Sequence, residues 1–166
     1  MIDIRHLTAY EDGLAEVLVD CVEGGASVGF MAGFTQPEAV AFFENVFVGV
    51  ESREKVLLAA FLDGKLIGTV QIIPATMPNQ PHRGEIAKLL VHRSARGRGV
   101  ARRLMEAAER IAAEQGKTLL VLDTANSHAE ALYEKLGWVR VGEIPNYALL
   151  PDGNPCATTI FWKSIG

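Results

Sequence analysis

Between Glu85 and Gly137 the chain passes from an apolar segment, Ile86 to Val91, through an arginine- and glycine-rich stretch into a helical pattern. A second strand-like segment at Thr118 to Asp123 and a second helical pattern at Ser127 to Leu136 follow. This order constrains the fold more than any other feature. Val100, Leu104, Ala108 and Ile111 recur at helix spacing, and a strand, helix, strand unit of this length closes right-handedly with its two strands parallel. The stretch between strand and helix, RSARGRGVARR at residues 93 to 103, holds five arginines, two glycines and no acidic residue. Gly97 and Gly99 permit tight backbone geometry, and the first N–H groups of the next helix lack internal acceptors. A phosphate-bearing ligand is expected there.

The flanking segments extend this unit. Thr8-x-x-Glu11 reads as a capping box opening a first helix, with Leu14, Val17, Leu18, Cys21 and Val22 on one face until Gly24-Gly25 stops the pattern. Thr35-x-x-Glu38, with Pro37 in the first turn, opens a second helix carrying Val40, Phe43, Phe47 and Val50. Between them GGASVGFMAGF, Gly24 to Phe34, is too glycine-rich for either element and suits an adaptable wall of a pocket. Lys55 to Phe61 and Lys65 to Ile73 read as strands joined by an Asp63-Gly64 hairpin turn, and Trp138 to Glu143 and Thr158 to Lys163 as two more. The expected fold is α/β (α+β), a mixed, mostly antiparallel central sheet with one parallel strand pair, flanked by helices. At 166 residues without repeat or linker, residues 1–166 are expected to form one domain.

Composition narrows the function. A net charge of −4 argues against a nucleic-acid binder, so the arginine cluster calls for a small anionic partner. No apolar run approaches the ~20 residues needed to cross a bilayer, and a cytoplasmic, membrane-free protein is expected. Cys21 and Cys156 read as free thiols, and His6, His82, His92 and His128 show no metal-ligand spacing, so no metal is expected.

Arg96, Gly99 and Ala101 match Arg-x-x-Gly-x-Ala, and Asn126, Ala129 and Tyr133 follow within a segment ending in YEKLGW. Together these resemble the two acetyl-CoA-contacting segments of the GNAT-type N-acetyltransferase superfamily. The resemblance implies acetyl-CoA as cofactor and a contact set of Leu89, Leu90, Val91, Arg96, Gly97, Arg98, Gly99, Val100, Ala101, Arg102, Arg103, Asn126, Ala129 and Tyr133. Within the superfamily, GGASVGF, KLLVHRSARGRGVARRLM, LDT at Leu122 to Thr124 and VGEIPNY with PDG look most like tabtoxin-resistance acetyltransferases. This implies a β-lactam amino-acid toxin as acceptor.

Acyl transfer from a thioester to an amine needs a neutral nucleophile, donors for the developing oxyanion and a proton for the departing thiolate. Splayed strands between Leu89 and Val91 would offer backbone N–H groups to the carbonyl, a contribution of about 3 to 4 kcal/mol per donor. Glu85 and Asp123 are the two candidate bases, and either can take the proton. Glu85 starts roughly 13 Å along the strand from Leu89 and so requires a water relay, while Asp123 can instead cap the turn at Thr124 to Ser127. Tyr133 is the candidate acid, with a core aromatic as its alternative role. Asn126 either bonds the pantetheine arm or caps a helix. Arg98 and Arg103 are the side chains expected on the phosphates, with Arg96 bracing the loop. Ser27, Phe30 and Tyr147 are expected to shape the pocket for a small primary amine that attacks the thioester directly within a ternary complex, and the protein is expected to be a monomer or homodimer.

Overall fold

The computed structural model describes all 166 residues. Its elements are β1 (Ile2–Leu7), α1 (Leu14–Glu23), α2 (Gln36–Glu51), β2 (Val56–Leu62), β3 (Lys65–Pro74), β4 (Arg83–Val91), α3 (Val100–Glu114), β5 (Leu119–Thr124), α4 (Ser127–Lys135), β6 (Val139–Leu149) and β7 (Pro155–Ser164). The strands form one seven-stranded sheet in the order β1-β2-β3-β4-β5-β7-β6. Every neighbouring pair is antiparallel except β4 and β5, which are parallel as the crossover rule requires.

β2 lies in the interior, and its successive side chains alternate between two cores. Leu58 and Ala60 join Ile72, Ile86, Leu104, Leu120 and Phe161 on the α3 side. Leu57, Ala59 and Phe61 join Leu14, Leu18 and Phe43 on the α1–α2 side. Each fully buried leucine in these layers contributes roughly 1.5–3 kcal/mol relative to an exposed one. Asp63 and Gly64, at φ 50° and 80°, make the expected left-handed turn between β2 and β3.

The Thr35 capping box is present in both directions, with the Glu38 carboxylate accepting from the Thr35 N–H at 2.8 Å. The Thr8 box is not. The chain makes an additional edge strand, β1, and α1 starts only after Gly13, which takes φ 99° and has no side-chain cap. The strand's half-buried Ile2 and Ile4 alternate with exposed Asp3 and Arg5, a two-residue period too short to stand out beside the helical pattern that follows. A side chain at Gly13 would also meet Leu66 Cβ at 3.1 Å, so glycine fixes the joint. β6 and β7 run well beyond their expected bounds, because Asn146 at φ 53° lets β6 slip register between Ile144 and Ala148 and resume pairing.

Two irregularities position the site. β4 pairs with β5 only over Arg83–Glu85 against Leu119–Val121, so from Ile86 onward its edge facing β5 is unpaired. The β3–β4 register also shifts between Thr69 and Gln71, where Lys88 is an extra residue at φ 51°. This left-handed lysine costs on the order of 1 kcal/mol and turns the strand locally.

Candidate active site

The cradle begins where β4 ends. A short 3-10 turn, Arg93–Ala95, leads to Gly97 and Gly99 at φ 75° and 79°, and Gly99 opens α3 without a side-chain cap. From Gly97 to Arg102, none of the backbone N–H groups has an acceptor in the protein. A Cβ added at Gly97 or Gly99 would meet nothing within 4 Å, so the glycines serve the left-handed backbone and leave open space in front of it. Successive free N–H groups at the positive end of a fifteen-residue helix fit a pyrophosphate.

The five arginines divide the work unevenly. Arg93 bonds Asp20 through both its N–H and its Nε, at 2.8 and 2.9 Å. Arg96 donates Nε to the Val91 carbonyl, tying the loop to the end of β4. Arg102 pairs with Glu106. Arg103, expected on the phosphates, instead donates to the Ile2 carbonyl at 2.7 Å, because the unanticipated β1 lies within its reach. Arg98 alone makes no hydrogen bond or ion pair. Val100 is buried and Ala101 half-buried, so both face the ligand side with backbone only.

At the opening between β4 and β5, Leu90 packs into the α1–α2 core while Leu89 and Val91 pack against the other, leaving backbone polar groups along the unpaired edge. Tyr133, on α4, is 5% exposed and packs on Trp138 and Phe161, with ring centroids at 6.1 and 5.6 Å. It is thus both a core aromatic and an available hydroxyl. The one buried side-chain polar atom without a partner is Gln71 Nε2, so the Tyr133 hydroxyl, which bonds to no protein group, reaches the surface. Burial, and then the Asp123 charge, push the phenol well above its ordinary value and keep it protonated. Asn126 caps α4, accepting from the His128 and Ala129 N–H groups at 2.9 and 3.2 Å, which leaves its Nδ2 without a partner. Ala129 packs against the core beneath.

Asp123 does not cap the turn after β5. Thr124 Oγ1 takes that part by accepting from the Asn126 N–H, and Asp123 accepts from Thr158 Oγ1 at 2.8 Å. Glu85 stands opposite Val121, two residues before Asp123, so both carboxylates lie on one face of the sheet. Burial, then Asp123, raises the Glu85 carboxyl above the ordinary carboxylate range. Lys88 belongs to the same group. Burial lowers its ammonium, while Asp123 and Glu85 act in the opposite direction. Gln71 pairs with Ala87 across β3–β4, diagonal to Glu85 on this face, and its unpartnered Nε2 calls for a water or ligand atom. Lys88 and Gln71 were not anticipated from the sequence, although each is a polar residue flanked by apolar ones in its strand.

The loop between α1 and α2 lies over the Lys88 side of this group. Phe30 stacks on Phe34 at 4.2 Å and meets Phe42 edge-on at 5.2 Å. Ser27 Oγ lies 3.5 Å from Cys156 Sγ on β7, and Ala32 N–H donates to the Pro151 carbonyl. The loop and the C-terminal hairpin therefore do meet, through Ser27 and Ala32. Tyr147 is 56% exposed on the slipped segment of β6 and takes part in no aromatic pair. Cys21 is buried, with its thiol pushed up by burial, and donates to the Val91 carbonyl.

The model of the acetyltransferase (GNAT) family matches residues 30–138. The chain belongs to this family. It is similar to the N-alpha-acetyltransferase MAK3 of Arabidopsis thaliana, 36% identical over 92 residues, which are 54% of this chain and 48% of that protein. The chain thus spans about half the length of that relative. Among solved structures, it resembles an N-acetyltransferase from Staphylococcus aureus Mu50 at TM-score 0.81 and 20% identity, covering 100% of this chain and 99% of that one. It also resembles yncA from Salmonella typhimurium, solved with its cofactor acetyl-CoA, at TM-score 0.82 and 17% identity, covering 100% and 95%. At such identities the likeness is one of fold. The GNAT sheet, with its single parallel pair opening between β4 and β5, is the one observed here.

Proposed function

We propose that residues 1–166 act as a single acetyltransferase domain that moves an acetyl group from acetyl-CoA to a small primary amine inside a ternary complex. One observation carries this reading. The free N–H cradle at Gly97–Arg102, the unpaired edge of β4 and the Tyr133 hydroxyl adjoin the same opening in the sheet, with Glu85 and Asp123 beside it.

Acetyl-CoA, when bound, would supply an activated thioester, whose C–S bond is the one exchanged for the new bond to the amine nitrogen. The cradle and Arg98 would hold the pyrophosphate, and Asn126 Nδ2 would donate to the amide-bearing arm. The free β4 edge near Leu89 to Val91 donates to the carbonyl oxygen as negative charge gathers there. Glu85, with a raised carboxyl pKa, accepts a proton from the acceptor ammonium through a water, which Gln71 Nε2 orients. Tyr133 keeps its proton through the neutral range and would give it to the sulfur as the thiolate departs, the proton that the new amide nitrogen sheds restoring the phenol. Asp123, fixed by Thr158, sits close enough for its charge to act on both. Cys21 is no acyl carrier in this reading, since it is buried with a raised pKa.

The segments resembling tabtoxin-resistance enzymes favour β-lactam amino acids, and with them toxin resistance, for the acceptor. A thiol-release assay with acetyl-CoA against amino acids, β-lactam amino acids, polyamines, aminoglycosides and peptides tests the activity. Amine-dependent release of CoA is expected. Acetyl-CoA binding with no release across the panel would leave a binding module in place of an enzyme.

A further inference from the structure

We propose that the acceptor is an aminocarboxylate, whose carboxylate is held by the Lys88 ammonium while its amine is directed toward Glu85 and Asp123. This deepens the acetyltransferase reading and rests on it.

The proposed acceptor site carries opposite charges that do not satisfy one another. Lys88 is half-buried, yet its Nζ makes no hydrogen bond or ion pair, even though Glu85 precedes it by three residues and Asp123 stands across the opening. Glu85 is likewise half-buried and unpaired. Removing charge from water without a partner is costly, and long flexible side chains within reach of each other ordinarily relieve that cost by pairing. Here the Lys88 ammonium lies instead against the loop between α1 and α2. With φ at 51°, Lys88 directs its side chain toward the α1–α2 side, where Nζ lies 6.0 Å from the centre of the Phe42 ring. A Cβ placed on Gly29 would be 3.9 Å from it, so the ammonium sits under that loop. Gln71 Nε2 adds a buried donor with no protein acceptor on the same face.

The charge pattern selects among amines. A simple monoamine would satisfy the carboxylates and leave Lys88 without a partner. A polyamine would bring a second cation toward it. An amine bearing a carboxylate fills both ends, and Phe30 and Phe42 offer an apolar wall to the carbon chain between them.

The test compares matched acceptors that differ only in the carboxylate. The probes are a set of α-, β- and γ-amino acids, their methyl esters and amides, and ethanolamine and putrescine, each assayed for CoA release by the full-length protein. The free acids are expected to exceed their esters in kcat/KM by about 10- to 100-fold. Lys88→Gln should abolish that preference through KM, with acetyl-CoA affinity unchanged by calorimetry, and Lys88→Arg should restore most of it. Equal or better transfer to esters and amines would overturn the aminocarboxylate assignment and leave acetyl transfer standing, as would a Lys88→Gln loss equal for acids and esters. Absence of transfer to every probe would overturn the small-amine acetyltransferase reading and this proposal together.

Discussion

The cradle and the proposed acceptor site are built from different materials. The cradle is backbone. Its donors are contiguous neutral N–H groups in open space, fixed by two left-handed glycines and a helix start. The acceptor site is side chain. Glu85, Lys88, Asp123, Gln71 and Phe30 come from β4, β5, β3 and the α1–α2 loop, and burial pushes the Glu85 and Lys88 ionisations toward neutrality. A ligand fragment shared by a whole family can be read by backbone geometry alone. A varying acceptor requires charged side chains held partly away from water, and holding them there costs stability.

The sharpest test is made at Tyr133. Tyr133→Phe keeps the packing against Trp138 and Phe161 and removes only the hydroxyl. A kcat loss on the order of 10²- to 10⁴-fold is expected, with acetyl-CoA affinity intact by calorimetry. A near-normal kcat would reduce Tyr133 to a core aromatic.

Gly99→Val probes the cradle alone. It asks a β-branched residue to adopt φ 79° and fills the space in front of the N–H groups. The acetyl-CoA dissociation constant should rise about tenfold or more, roughly 1.4 kcal/mol, while thermal unfolding shows an intact fold. Unchanged affinity would remove the cradle from the cofactor site and erase the contrast.

The smallest effect concerns the cost of the acceptor site. A carboxyl whose folded pKa is raised stabilises the fold below its unfolded value of about 4.3 and loses that contribution as pH rises through the folded pKa. At pH 7 the native protein therefore carries the penalty. Glu85→Gln should raise Tm at pH 7, by on the order of a few degrees, with the gain disappearing near pH 4, while lowering kcat/KM with the acceptor. A lower Tm at pH 7 would mean that Glu85 is a structural partner.

The same difference explains what could be read from the chain beforehand. The β4–α3–β5 crossover, the capping box at Thr35, the turn at Asp63-Gly64 and the cradle are local, and each was visible in a few consecutive residues. β1 was hidden because six residues of alternating polarity are easily passed over. The diversion of Arg103 followed from that omission, since its acceptor is the β1 carbonyl at Ile2. Tyr147 was expected at the pocket because the cofactor motifs occupy the middle of the chain and leave the C-terminal segment for the acceptor, and it stands exposed on the slipped segment of β6. Lys88 and Gln71 acquire meaning only from a bulge and from cross-strand register, and neither is encoded in a short motif.

The seam between β4 and β5 also shapes the mechanics of the molecule. Four strands lie on one side of it and three on the other, and the only ladder between them is the short one at Arg83–Glu85 and Leu119–Val121. The two leaves are bound at one short margin, where Gly84 packs so closely that an added Cβ would stand 3.2 Å from Leu120. A ligand that enters along the free margin therefore displaces no strand pairing.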